Sequence, residues 1–172
     1  MLVVTSRRKK PIDPLAVERG VAVITIPDIR WQRCDIKSVA LLPNVLGKQL
    51  AKEAGVFEAW QVDREGKVSE GTSTNAWIVT SDATDVTRQA DSAILNGVTR
   101  LAVLVRREGY GFVERPFSVA EAKSAREAFL TSTVVDLLPV VRIDGTAVGS
   151  GQPGSLTRKL RENYLAQAGS AK

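Results

Sequence analysis

The sequence predicts a mixed α/β domain of the α+β kind, with many short strands and about four helices. Three observations lead there. β-Branched and aromatic residues gather in short runs, apolar residues at helical spacing separate those runs, and Pro, Gly and Asp-Gly signals mark the joints. Residues 1–20 carry a basic run, Arg7, Arg8, Lys9 and Lys10, then Pro11 and Pro14, and read as an irregular, linker-like segment. The stretch 21–26, dense in β-branched residues and stopped by Pro27, is a strand. Residues 29–37 are expected to be extended or looped. Pro43 suits a first helical turn; Leu42, Val45, Leu46, Gln49 and Leu50 keep helical spacing, and Gly55 stops that helix. Strands follow at 58–62 and 67–69 around a turn at 63–66, and an alternating strand at 75–79. The polar stretch 81–92 is expected to be loop. A helix opens at 95–99, puts Val98, Leu101, Ala102, Leu104 and Val105 on one face, and ends at Gly109. Residues 111–116 form a strand, and Ser118 with Glu121 makes a capping box for a brief helix. Strands at 127–131 and 138–143 lead into the hairpin turn Asp144-Gly145. A last helix over about 155–168 turns Leu156, Leu160 and Tyr164 inward.

Composition narrows the chemistry. The 172 residues are 44% hydrophobic and 25% charged, which suits a folded chain able to bury a core rather than a disordered or fibrous one. The net charge of +5 is interspersed, and no basic stripe with aromatics beside it suggests nucleic acid. No apolar run is long enough to span a membrane. There is no histidine, which removes Ser–His and Cys–His catalysis and histidine-based zinc sites. One cysteine, Cys34, excludes an internal disulfide and any multi-cysteine metal site. With no signal-like segment, the cytoplasm is the expected compartment. Chemistry must therefore rest on Lys, Asp, Glu, Ser, Thr, Tyr, Arg or a bound cofactor.

Four places could carry it. Lys37 precedes the most apolar stretch of the chain, where a low dielectric would disfavour its charge and sharpen its amine as a nucleophile; equally, it reads as a solvent-facing lysine ahead of a helix. Glu70-Gly71-Thr72-Ser73-Thr74-Asn75 is a carboxylate followed by small hydrogen-bonding residues, suited to close backbone approach to a ligand or to an ordinary polar turn. Asn96-Gly97-Val98-Thr99-Arg100 opens a helix whose free N–H groups would favour a phosphate, unless Gly97 and Thr99 merely shape the helix start. Thr131-Ser132-Thr133 could finish a phosphate cup or be a plain turn. Together an amine, an acid and two phosphate corners are the parts that pyridoxal phosphate needs: a lysine for its aldehyde, a carboxylate for its ring nitrogen and a helix N-terminus for its phosphate. A released lysine amine can also move the Cα proton, so histidine is not required.

Four segments in register carry a resemblance. They are Arg33-Cys34-Asp35-Ile36-Lys37-Ser38 with Leu42-Pro43-Asn44-Val45-Leu46; Glu70 to Asn75; Ile94-Leu95-Asn96-Gly97-Val98-Thr99-Arg100; and Phe129-Leu130-Thr131-Ser132-Thr133 ahead of Pro139-Val140. With them, from about residue 21 to 164, the chain resembles the class IV aminotransferases. Ile143-Asp144-Gly145, the glycine-rich stretch 149–154 and Thr157-Arg158 are similar to the family's C-terminal pattern. The resemblance implies the large pyridoxal 5′-phosphate-binding domain of the D-amino acid aminotransferase-like fold. It implies Lys37 as the Schiff-base lysine and proton carrier, and Glu70 as the acid facing the pyridine nitrogen. Leu95 would lie against the ring face, Val98, Thr99 and Thr133 would hold the phosphate, and Ser73 and Ser132 would sit beside the cofactor. Amino acids and 2-oxo acids are the implied substrates, and a homodimer the implied assembly.

Within the family, the stretch 27–37 favours the D-amino acid branch, so transfer from D-alanine to 2-oxoglutarate, giving pyruvate and D-glutamate, is the expected reaction. A branched-chain L-amino acid transaminase and a non-catalytic remnant of the family are the alternatives. Family members carry an N-terminal domain ahead of the stretch seen here, with a phosphate-binding arginine and much of the substrate pocket. The expected organisation is therefore a linker-like 1–20 and a cofactor-binding domain over 21–172, a truncated form. Val134 and Val135 depart from the family's pattern, which by resemblance usually has threonine or another hydroxyl residue there.

Overall fold

A computed structural model describes residues 2–6, 11–105 and 111–170, the last four by their backbone alone. The basic run at 7–10 and the helix stop at Gly109 lie outside the described residues. In order the elements are α1 (Pro14–Arg19), β1 (Val21–Pro27), α2 (Leu42–Glu53), β2 (Glu58–Val62), β3 (Val68–Gly71), β4 (Asn75–Val79), β5 (Thr84–Thr87), α3 (Val98–Val105), β6 (Gly111–Glu114), α4 (Val119–Ser124), β7 (Glu127–Ser132), β8 (Asp136–Ile143), β9 (Thr146–Ala147) and α5 (Ser155–Ser170). The expected mixed α+β class holds.

All strands join one sheet in the order β3-β2-β1-β8-β7-β4-β5-β6, with β9 paired to β8. β1 runs parallel to β2 and β8, and β5 runs parallel to β6. A parallel pair needs a crossover, and α2 and α3 supply those from β1 to β2 and from β5 to β6. β3 and β4 stand far apart in the sheet order yet meet through a tight turn, where Gly71 N–H donates to Thr74 O at 2.7 Å. The first six strands in that order therefore curl around a core that includes Val23, Trp60, Val68, Ile78, Leu130, Leu138 and Ile143. Alternate residues point the other way: Trp77, Val79, Phe129 and Leu137 pack with Val103 of α3 and Leu156 and Leu160 of α5. Trp77 and Phe129 stack there at 5.2 Å.

Three expectations need correction. The linker-like segment is partly helical: Asp13 caps α1 by accepting from Leu15 N–H at 3.0 Å, and Ile12, Ala16 and Val17 pack on the core. Within the expected loop 81–92, β5 forms a strand whose Asp85, Val86 and Thr87 are buried, because pairing to β4 and β6 overrides its polar composition. The apolar face read from the spacing of α3 is turned largely outward, with Leu104 alone of its large residues packed against the core. Val98 is 66% and Val105 84% exposed, while Thr99, Arg100 and Val103 are buried. Arg100 fixes that rotation, donating to Asn96 Oδ1 at 2.9 Å and Arg88 O at 2.8 Å and pairing with Glu114. α2 behaves alike, burying Gly47 and Ala51 and exposing Leu42, Val45, Leu46 and Leu50. A Cβ on Gly47 would lie 2.6 Å from Ile26 Cδ1, so α2 approaches the sheet only through glycine.

Glu127 clips α5 to the sheet. Its buried carboxylate accepts from Leu156 N–H at 3.1 Å, Thr157 N–H at 2.8 Å and Thr157 Oγ1 at 2.8 Å, satisfying N–H groups that the first helical turn leaves open. Glu127→Ala is expected to cost about 3 kcal/mol, since three buried donors lose their acceptor together. A urea midpoint shifted down at unchanged slope would show it; a loss under about 1 kcal/mol would assign the helix's position to packing alone.

Candidate active site

A cavity of about 740 Å³ opens where the β1–α2 loop, the β3–β4 turn, the start of α3 and the β7–β8 turn converge. Lys37, Glu70, Ser73, Leu95, Val98, Thr99, Ser132 and Thr133 all line it. The sequence positions singled out from four separate segments thus share one space. Lys37 departs from expectation in its surroundings. It is exposed, and the apolar residues after it, Val39, Leu41 and Leu42, are exposed too. The low dielectric expected from the sequence does not arise from this chain's own packing.

Glu70 is buried at the end of β3. Its carboxylate accepts from Arg30, from Asn75 Nδ2 at 3.0 Å, and from Leu95 N–H, at 3.2 Å to each oxygen. Burial removes it from water and pushes its pKa up to about 7, against the opposing pull of Arg30 and the Leu95 N–H. Arg30 is itself held as a fork: Nε and Nη2 donate to Asp28 at 2.9 and 2.7 Å, and Nη2 reaches Ser69 Oγ at 3.2 Å and Ala93 O at 2.9 Å. Burial weakens its charged form, but its two carboxylate neighbours outweigh that and raise its pKa. Asp28, although raised by burial, is held below its ordinary range by the Arg30 and Ser69 hydrogen bonds.

The hydroxyls of the two turns differ in polarity. Ser73 Oγ donates at 3.0 Å to Glu58, a fully buried carboxylate that Thr72 also reaches and that lies 3.4 Å from Lys48 Nζ. Its proton committed, Ser73 offers lone pairs to the cavity. Ser132 Oγ accepts from Val134 N–H at 3.2 Å and Val135 N–H at 3.3 Å, so its proton remains to donate. Arg161 of α5 braces the same turn through Val135 O and Leu137 O at 3.2 and 2.6 Å. Thr99, 2% exposed in the first turn of α3, has an Oγ1 with no hydrogen-bond partner among the described residues. An orphaned hydroxyl beside open helix N–H groups fits an anion.

Sequence reasoning missed Arg30 and Glu58, and placed Asn75 only as the last residue of the polar segment after Glu70, with no role of its own. Asp28 and Arg30 stand two apart just after a strand with no local pattern to mark them; only the fold reveals that both side chains are enclosed. Asn75 stands at a strand start, and Glu58 faces the polar turn only once β2 and β3 pair.

Residues 1–143 match the family model for amino-transferase class IV. A D-alanine aminotransferase of Bacillus licheniformis is 43% identical over 146 residues, 84% of this chain and 51% of that protein. One from Staphylococcus aureus (strain COL) is 40% identical over 162 residues, 93% of this chain and 56% of that protein. The chain thus spans about half the length of the curated relatives it matches. Among solved structures, the T.th. branched-chain amino acid aminotransferase complexed with N-(5′-phosphopyridoxyl)-L-glutamate superposes with a TM-score of 0.83. It is 28% identical, over 91% of this chain and 54% of that one. The branched-chain amino acid aminotransferase from Thermobaculum terrenum in its PLP form gives 0.81 at 27% identity, over 94% and 55%. With a family model covering most of its length and relatives this similar, the chain belongs to the class IV aminotransferases.

Proposed function

We propose that this chain holds pyridoxal 5′-phosphate and supplies the lysine, the ring acid and a phosphate corner of a D-alanine aminotransferase, which passes the amino group of D-alanine to 2-oxoglutarate. The observation that carries the reading is the shared cavity, in which an amine, an acid and an orphaned helix-start hydroxyl converge. The residues fit the cofactor. Thr99 Oγ1, the first N–H groups of α3 and the free proton of Ser132 suit a phosphate, with Thr133 beside them. Glu70 would hold the ring nitrogen's proton, and that cation in turn would favour its ionised form. Val98 would contribute its N–H, and Leu95 would pack on the ring. Ser73, as an acceptor, would face an ammonium group rather than the phosphate. Lys37 would bind the aldehyde carbon and, once released, carry a proton to and from the substrate Cα. Bound there, the cofactor supplies an electron sink for the pair left by that proton.

A homodimer in the cytoplasm belongs to the same proposal. The exposed apolar faces of α2 and α3 support an assembly, and no helix among the described residues is long and apolar enough to cross a membrane. The D-alanine relatives, at 40–43% identity, favour the D-amino acid reading over a branched-chain one, for which the two solved structures described above stand at 27–28%.

Adding pyridoxal phosphate should produce a visible band that Lys37→Ala lacks. D-Alanine with 2-oxoglutarate should then give pyruvate, at least about 100-fold faster than in Lys37→Ala, the low end of what a positioned base contributes. A band insensitive to Lys37→Ala would overturn the lysine's role. Turnover of L-leucine alone would favour the branched-chain reading, and a band without any transamination a non-catalytic remnant.

A further inference from the structure

The acid at the ring end and the corner at the phosphate end are not independent. Leu95 N–H donates to both oxygens of Glu70 at 3.2 Å. Leu95 O accepts from Gly97 N–H at 2.9 Å and from Asn75 Nδ2 at 2.8 Å. Asn75 Nδ2 also donates to Glu70 Oε2 at 3.0 Å, closing a ring of three residues. Gly97 O then accepts from Leu101 N–H at 2.9 Å, the bond with which α3 begins. Asn75 is 5% exposed, and its Oδ1 lies 2.5 Å from where a Cβ on Gly97 would stand, so amide and glycine backbone are packed face to face.

We infer that Asn75 is a positioning residue that couples the two halves of the cofactor site, so that an anion at the start of α3 orders Glu70 for the ring and the ring orders the corner for the anion. This rests on the cofactor reading above and adds to it a cooperativity that the Asn75 amide braces, beside the direct bonds of Leu95 to Glu70 and Gly97. The physical basis is shared ordering. Whichever group binds first fixes Leu95 through the Asn75 amide, and the second then binds an already ordered site.

Two probes separate the halves: 5′-deoxypyridoxal, which has ring and aldehyde but no phosphate, and inorganic phosphate. Titrated into the full chain, 5′-deoxypyridoxal is read by its visible band with the lysine, and phosphate by calorimetry. Phosphate should tighten 5′-deoxypyridoxal binding by about fivefold or more, the lower end of measured site-to-site couplings, and the converse must hold by the same factor. In Asn75→Ala each probe should still bind alone while the mutual factor falls towards one. Asn75→Asp keeps the side chain's shape but, ionised, donates to neither Glu70 nor Leu95 O, and should lose the coupling as well. A merely structural asparagine would weaken both probes and leave their ratio intact. An unchanged coupling in either folded variant, or none in the native chain, overturns the inference. Failure of 5′-deoxypyridoxal to bind in the presence of phosphate would instead sink the cofactor reading. Hydrogen exchange in the native chain needs no variant: phosphate alone should slow the Leu95 amide, and an unaltered rate counts against the coupling.

Discussion

Arg30→Met is expected to destabilise the chain by about 3–5 kcal/mol, the range seen when one partner of a buried ion pair is removed. The Arg30 side chain is only 4% exposed and is shared between Asp28 and Glu70, so its loss strands two carboxylates at once. Asp28 loses the hydrogen bonds that keep it below its ordinary range, and Glu70 loses the largest force opposing its burial. Glu70 should therefore climb above about 7, and the first further unit cuts its ionised fraction at neutral pH about fivefold. Under the proposed function that change falls directly on the ring nitrogen, so cofactor affinity should decline along with stability. Arg30→Lys should recover little, because one ammonium cannot reproduce the fork that spans Asp28, Ser69, Glu70 and Ala93 O. Adding Glu70→Gln to Arg30→Met should restore part of the lost stability, because an amide needs neither a buried charge nor a proton taken up at neutral pH. Urea unfolding of the four proteins at neutral pH measures this. A single-variant loss below about 1 kcal/mol, or a double variant no more stable than Arg30→Met, would show that the network is not what holds this loop.

The contrast between Lys37 and Arg30 shows where the sequence speaks and where it falls silent. Lys37, Glu70 and Thr99 each sit in a local pattern with a chemical meaning: an amine before an apolar run, an acid in a small-residue turn, a glycine opening a helix. Strand periodicity and turn residues likewise mark β1, β2, β4 and β7 close to their observed bounds, because those strands are apolar and short. Arg30 and Glu58 carry no such local mark, and Asn75, although it closes the marked segment after Glu70, shows no sign there of its bond to Leu95 O. Their roles come from what long-range pairing encloses, at separations such as the forty residues between Arg30 and Glu70. The rotation of α2 and α3 misleads for a related reason. Apolar spacing finds the helix but not the side facing the sheet, and here Gly47 and the buried Arg100 set that side against the leucines. Helix α1 has a local mark that is easily overlooked: Asp13 before Pro14 is a helix-start signature, masked by the basic and proline-rich residues ahead of it.

Glu70 also sets how stability should depend on pH. A carboxyl ordinarily near 4.5 and raised to about 7 by burial keeps its proton in the fold after the unfolded chain has released its own. Between those values the folded state binds more protons, so stability falls as pH rises through the window and levels off above it. The full drop is about 3 kcal/mol, from the separation of the two values. The absence of histidine makes the experiment clean, since no imidazole titrates in the same interval. In the chain without cofactor, the unfolding free energy should decline between about pH 4.5 and 7, and Glu70→Gln, which carries no titrating proton, should flatten that decline. Pyridoxal phosphate should flatten it too, because a protonated ring nitrogen against Glu70 returns the carboxyl towards its ordinary range. A slope that survives Glu70→Gln would place the titration elsewhere. A slope abolished by the substitution but untouched by the cofactor would mean that the buried acid and the ring nitrogen do not meet.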